Sequence, residues 1–144
     1  YIAWSDLAHM KITNKAVLAL MVVFVVIGLI ALPFTEYLWR YAHFAVILVI
    51  GFVLNALRLL GGGDAKFAAA MAPFIALGDL FMFSVVLMAV TLAAFIVHRL
   101  VMKSPLRNRF TDWESWQSKQ FPMGFALGPA LVIYLILQFI LPNG

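Results

Sequence analysis

Asp6 and Asp64 are the two residues of this sequence with the clearest potential for chemistry. The chain has six acidic residues among 144, and these two are expected at the ends of hydrophobic helices, where an ionisable group is costly and a functional role is the default hypothesis. Two neighbouring carboxylates do not both ionise easily and tend to share one proton. The ionised member can activate a water, while the protonated member polarises a peptide carbonyl and protonates the leaving amine.

That chemistry is aspartyl proteolysis, which needs neither a metal nor a cofactor, and we predict none here. The sequence has no cysteine, which excludes a thiolate zinc site and a cysteine nucleophile. Its three histidines, His9, His43 and His98, do not have a metal-ligand spacing and are expected at interfaces or in loops. Intramembrane acids also act as proton relays, so a non-enzymatic membrane subunit of a proton-coupled carrier is the second hypothesis.

The composition is that of an all-α integral membrane protein. The chain is 65% hydrophobic and only 11% charged, its mean hydropathy is +1.04, and a soluble domain carries roughly 25% charged residues. We predict one domain over residues 1–144, folded as a polytopic helical bundle. The net charge of +4 is attributed to cytoplasmic loops rather than to a nucleic-acid partner.

The apolar runs predict where the chain crosses the membrane. Residues 1–8 look like the end of a first helix, and residues 99–122 form a hydrophilic loop; the crossings are expected at residues 16–32, 41–60, 64–77, 80–98 and 123–141. Because about 20 residues are needed for a span, we expect six transmembrane helices, with the first mostly missing from this chain and about 15 apolar residues upstream of it.

The distribution of basic residues predicts the sidedness. With these crossings, nine of the ten Lys and Arg residues fall on one face and only Arg40 falls on the other; the nine are Lys11, Lys15, Arg58, Lys66, Arg99, Lys103, Arg107, Arg109 and Lys119. Such a bias marks the cytoplasmic side. It requires the short segment 64–77 to cross, and two crossings then bring Asp6 and Asp64 to the same cytoplasmic face.

Several further residues are expected to shape the helices around these acids. Gly61, Gly62 and Gly63 are expected to let the backbone turn sharply and approach another backbone closely, which a proton relay would not require. Gly51 and Asn55 share a helix face that suits close interhelical packing and a hydrogen bond.

Two sequence features concern helix starts, and a third concerns the basic residues near Asp64. Asn14 is a candidate N-cap for the second helix. Residues 111–114 (TDWE) fit a capping box, with an ordinary interfacial loop as an equal alternative. Lys66 and Arg58 either favour ionisation of Asp64 or act as topology anchors, the interpretation we prefer.

Three segments together resemble a known family. Residues 61–66 (GGGDAK) match the Gly-x-Gly-Asp-x-Lys motif of the type IV prepilin peptidases, and the motif is shared more distantly with presenilin-like proteases. Residues 5–7 (SDL) with 11–14 (KITN) resemble that family's first aspartate segment, and residues 121–126 (FPMGFA) its Pro-containing entry to the last helix. The resemblance covers essentially the whole chain, and the small size is closest to the Flp/Tad-type enzymes.

The resemblance implies a six-helix membrane aspartyl protease of the bacterial inner membrane. Its catalytic residues would be Asp6 and Asp64, with residues 61–63 and Lys66 as the motif that gives the substrate access. It would remove the positively charged leader of Flp-type prepilins at the cytoplasmic face, so the expected partners are the prepilin leader, its hydrophobic helix and the bilayer. Family members commonly have proline where this chain has Thr13. Larger relatives add a cysteine-bearing cytoplasmic domain and methylate the product, an activity not expected here.

Overall fold

The computed structural model describes residues 1–109, 111–116, 118 and 121–141. Lys119, one of the nine basic residues assigned to the cytoplasmic face, and Gln120, near the end of the predicted loop, lie outside these residues. The described chain contains α-helices and short 3₁₀ turns but no strand, which confirms the all-helical prediction. The six helices are α1 (Ile2–His9), α2 (Asn14–Ala31), α3 (Phe34–Ala56), α4 (Gly62–Met71), α5 (Leu80–Lys103) and α6 (Gly124–Ile140).

Three helical segments are long and apolar enough to cross a membrane, namely Asn14–Ala31, Phe34–Ala56 and Leu77–Lys103. Large apolar side chains cover them, and some are almost fully exposed, such as Ile30 and Phe81 at 82% each. Such an apolar exterior is suited to lipid. Helix α6 is apolar but has 17 residues, and α4 has 10. The number of crossings and their sidedness remain predictions.

The chain divides into two compact units. The first comprises Tyr1–Lys11 with Asp79–Gly144 and holds α1, α5 and α6; the second comprises Ile12–Gly78 and holds α2, α3 and α4. In the first unit, Asp79 is buried and accepts hydrogen bonds from Tyr134 (3.0 Å) and Gln138 of α6. This acid therefore joins the start of α5 to the second half of α6.

Helix α4 is the most deeply packed helix of the second unit. Half of its residues are buried, including Phe67 at 2% exposure. Gly51 of α3 packs against it so closely that a Cβ at Gly51 would lie 3.0 Å from the Cβ of Ala65, which confirms the predicted close approach. Asn55 also forms the expected hydrogen bond. It lies in the last turn of α3, and its amide donates to the carbonyl of Leu60 (2.9 Å) in the loop that follows.

Helix α3 begins earlier than the apolar run suggested. The crossing predicted over residues 41–60 leaves residues 35–40 outside it, but the helix starts at Phe34 with Pro33 as its N-cap. Glu36 and Arg40, one helical turn apart, form an ion pair at 2.7 Å, the spacing that stabilises a helix. Arg40 is buried and also donates to the carbonyl of Pro73 (3.3 Å), beyond the end of α4.

Two predicted helix starts differ from the structure. The N-cap of α2 is Thr13, whose hydroxyl accepts the N–H of Ala16 at 3.3 Å, so Asn14 is already helical. Thr13 has φ −74°, which a proline ring also adopts, so the departure from the family's proline leaves the backbone path unchanged. The capping box at residues 111–114 does not form, because Thr111 donates to Asp112 instead and Glu114–Trp116 is a short 3₁₀ turn.

Candidate active site

Asp6 lies in the middle of α1 and is buried in the first unit, with 5% of its surface exposed. One of its carboxylate oxygens, Oδ2, accepts the backbone N–H of Gly124 at 2.7 Å. Gly124 is the first residue of α6, where the N–H groups have no partner within the helix. The Asp6 carboxylate therefore caps α6 from a distant part of the chain and faces the positive end of its dipole.

The backbone around Asp6 is fixed by two contacts at the end of α1. The hydroxyl of Ser5, itself buried, donates to the carbonyl of Lys11 at 2.9 Å. Met10 adopts a left-handed conformation with φ 49°, and its N–H donates to the carbonyl of Asp6. Residues other than glycine uncommonly adopt this left-handed backbone conformation, and they do so mainly at helix ends. These two hydrogen bonds hold the turn that follows Asp6.

Burial raises the pKa of the Asp6 carboxyl above its usual range, since the charged form loses hydration. Hydrogen bonds from the backbone N–H groups of Gly124 and Phe125 act in the opposite direction, because they stabilise the carboxylate. Burial is the larger effect. Asp6 therefore keeps its proton to a higher pH than an exposed aspartate, which is the property required of a general acid.

Asp64 is the third residue of α4 and is half-buried in the second unit. Gly61 is the N-cap of that helix, and a Cβ there would lie 2.6 Å from Oδ2 of Asp64. The carboxylate thus occupies the space that a side chain at position 61 would need. An acid in the first turn also interacts favourably with the helix dipole.

The glycines of the motif provide space rather than a sharp turn. Gly61, Gly62 and Gly63 all have negative φ, and Gly62 and Gly63 are helical. The expectation of a glycine turn is wrong, because the left-handed residue after α3 is Arg58, with φ 60°. The predicted close backbone approach is found at Gly63, where a Cβ would lie 3.3 Å from the Cβ of Ile12.

Lys66 is exposed, and its ammonium group donates to the side-chain carbonyl of Asn14 at 3.4 Å. The contact joins the first half of α4 to the start of α2. An exposed polar contact of this kind adds little stability. It leaves Lys66 at the surface, as a topology anchor requires, and that role remains a prediction.

The predicted site residues around Asp64 lie together on one helix. Asp64, the three glycines and Lys66 all belong to α4 or its N-cap in the second unit, whereas Asp6 belongs to the first unit. The pairing of the two carboxylates therefore remains a prediction. Among the described residues, no group of three or more His, Cys, Asp or Glu side chains could hold a metal ion.

Sequence reasoning missed the residues that hold Asp6. Gly124 was noted only as part of an entry segment, although a buried acid facing a helix start needs N–H donors of this kind. His98 was assigned to an interface or loop, but it is buried in α5 and stacks on Trp116 with ring centroids 4.9 Å apart. Its spacing from Trp116 in the sequence carries no signal for that contact.

Because Asp6 caps α6, we expect Asp6→Ala to destabilise the chain by about 1 kcal/mol, the usual cost of losing an N-cap acceptor. Asp6→Asn retains a side-chain oxygen for the Gly124 N–H and should lose less. Thermal unfolding in detergent, followed by circular dichroism, compares the two variants. Equal stability of Asp6→Ala and the unaltered chain would show that the cap contributes nothing.

The comparisons with known proteins agree with the motif. The sequence model of the type IV leader peptidase family matches residues 1–98, a region that contains both Asp6 and Asp64. No curated protein and no solved structure is significantly similar to the chain. Because this match covers more than half of the chain, the chain belongs to the type IV leader peptidase family.

Proposed function

We propose that this chain is an aspartic endopeptidase that removes the leader of Flp-type prepilins at the cytoplasmic face of the bacterial inner membrane. The observation that carries the proposal is the state of the two acids inside the matched region. Asp6 is buried with a raised pKa. Asp64 lies three residues after Gly61, whose missing side chain leaves room for the Asp64 carboxylate.

The environments of the two acids support a division of roles between them. Asp6 is the protonated member, because burial disfavours its charged form. Asp64 is the ionised member, since it lies in the first turn of α4, where the helix dipole stabilises an anion. This division follows the general rule that neighbouring acids in unlike environments take opposite roles.

The proposed reaction uses one proton on the pair and one water. Asp64 takes a proton from the water as its oxygen bonds to the scissile carbonyl carbon, while Asp6 donates a hydrogen bond to the carbonyl oxygen. The C–N bond then breaks, and the leaving nitrogen takes the proton from Asp6. The pair ends with the proton on Asp64, and exchange with solvent restores the starting state.

Co-expression with a prepilin tests the proposal directly. The chain is produced together with a Flp-type prepilin, and loss of the leader is scored by gel shift and by intact mass of the product. Cleavage at one peptide bond next to the basic leader is the expected result. A carrier subunit would leave the prepilin at full length, and that outcome would overturn the proposal.

We expect a bell-shaped dependence of cleavage on pH. As pH rises through the raised pKa of Asp6, the general acid loses its proton and the rate falls. On the acid side the rate falls because Asp64 must be ionised to activate water. Initial rates on a prepilin peptide in detergent measure the profile, and a flat profile between about pH 4 and 9 would contradict a coupled pair.

A further inference from the structure

A basic segment follows directly after the longest apolar helix of the described residues. Helix α5 ends at Lys103, and a 3₁₀ turn covers Pro105–Arg109. We use the name basic segment for residues 103–109, whose cations are Lys103, Arg107 and Arg109. Every residue of the turn is exposed, and Leu106 leaves 53% of its surface uncovered.

The turn is held at the end of the helix by Ser104. Its hydroxyl donates to the carbonyl of Val101 (3.0 Å) and accepts the N–H of Leu106 (3.2 Å), and its carbonyl accepts the N–H of Arg107 (3.2 Å). Pro105 cannot continue the helix because it has no N–H. The cations therefore stay next to the helix end rather than moving away along a loose loop.

A helix of this length would reach the membrane surface if it crosses the bilayer. Helix α5 has 24 residues, about 36 Å at 1.5 Å per residue, whereas the hydrocarbon core is about 30 Å thick. The ends of a crossing α5 therefore extend to the headgroup layer. Arg99, one turn before the end, remains on its own helix, with its guanidinium 5.1 Å from the ring centroid of Phe95.

The charges of the basic segment have no protein partner within the described ranges. No ion pair of Lys103, Arg107 or Arg109 is found there, and the sequence contains no acid between Asp79 and Asp112. Three exposed cations beside an exposed leucine, at headgroup depth, are complementary to an anionic lipid surface. A soluble anion would not use the leucine.

We propose that residues 103–109 bind the phosphate headgroups of anionic phospholipids, with Leu106 inserted at the level of the acyl boundary. Lys103, Arg107 and Arg109 contact the phosphates. The binding fastens the long loop to the bilayer surface at the end of α5. This role is independent of peptide cleavage, so it can hold or fail without affecting the proposed function.

The absence of cysteine in the chain permits a site-specific test. Asn108→Cys is labelled with an environment-sensitive fluorophore, and the protein is placed in nanodiscs of phosphatidylcholine, with or without phosphatidylglycerol. The anionic lipid should shift the emission to the blue and lower quenching by neutral acrylamide roughly twofold. About 1 M salt should reverse both effects, because it shortens the Debye length to about 3 Å.

Two triple variants separate the basic segment from overall charge. Replacing Lys103, Arg107 and Arg109 by glutamine should abolish the response to anionic lipid. Replacing Lys11, Lys15 and Arg58 by glutamine removes the same charge elsewhere and should preserve it. Equal loss in both variants would overturn the proposal in favour of net charge. If the first variant fails to insert, the proposal is tested by the lipid and salt responses of the labelled Asn108→Cys chain. Identical emission with and without phosphatidylglycerol would overturn the proposal.

Discussion

The Asp64→Asn variant is expected to lose leader cleavage by at least about a hundredfold while remaining folded in the membrane. An amide cannot accept the proton of the attacking water, and general-base catalysis contributes about 10²–10⁴-fold. The substitution is nearly isosteric, and Asp64 is only half-buried, so the helix should tolerate it. Initial rates with a purified prepilin substrate measure the loss, and thermal unfolding in detergent reports folding.

The companion variant Asp6→Asn tests the proposed acid without removing the cap of α6. Asparagine caps a helix about as well as aspartate, so the contact to the Gly124 N–H is preserved. Cleavage should fall as far as in Asp64→Asn, with little change in stability. A similar loss of activity in both variants, without a loss of folding, is the signature of a pair that acts as a unit.

Asp112→Asn is the matched control for both variants. Asp112 is exposed in the loop and accepts a hydrogen bond from Thr111, which asparagine can also accept. The same change of charge at this position should leave cleavage unaltered. Full activity of Asp64→Asn would remove it from the catalytic pair, and an equal loss in Asp112→Asn would point to a general effect of charge.

Gly61→Ala is expected to lower cleavage by about ten- to a hundredfold with little change in stability. The new Cβ would meet Oδ2 of Asp64 at 2.6 Å, and the carboxylate can rotate away because it is the end of a flexible side chain. Folding tolerates that rotation, but catalysis does not, since a misplacement of about 1 Å can cost 10²-fold. The φ of −65° at Gly61 is one that alanine adopts.

The neighbouring glycines are built-in controls for this prediction. A Cβ at Gly62 would lie 3.6 Å from the amide nitrogen of Asn55, an ordinary contact, so Gly62→Ala should cleave normally. At Gly63 the Cβ would press on Ile12 at 3.3 Å, close to the backbone, so Gly63→Ala should lower both stability and cleavage. Equal activity of Gly61→Ala and Gly62→Ala would contradict the proposed role of Gly61.

The contacts around the three glycines match the spacing of the motif. Gly61 and Gly63 each lack room for a side chain, the first because of the Asp64 carboxylate and the second because of Ile12. The position between them, Gly62, has room. A pattern of glycine, any residue, glycine and aspartate is what these contacts require, and none of them requires a glycine at position 62.

The roles of Asp6 and Asp64 remain predictions, but the sequence alone was sufficient for the helical class, the apolar segments and the family. These follow from composition and local patterns, because a residue's hydropathy and its neighbours in the chain are read directly. Residues 35–40 mark the limit of such reasoning. They lie outside the crossing predicted over residues 41–60, yet they are helical, and the Glu36–Arg40 pair and the contact of Arg40 with Pro73 stabilise that conformation.

Only the tertiary structure decided what surrounds the two acids. The partner of Asp6 is Gly124, 118 residues away in the sequence, and Gly63 meets Ile12 from before α2. Local patterns carry no information on which distant segment supplies an N–H or occupies the space above a glycine. Those contacts arise when the helices pack. The burial that raises the pKa of Asp6 arises in the same way, whereas its hydrogen bond from Gly124 acts in the opposite direction.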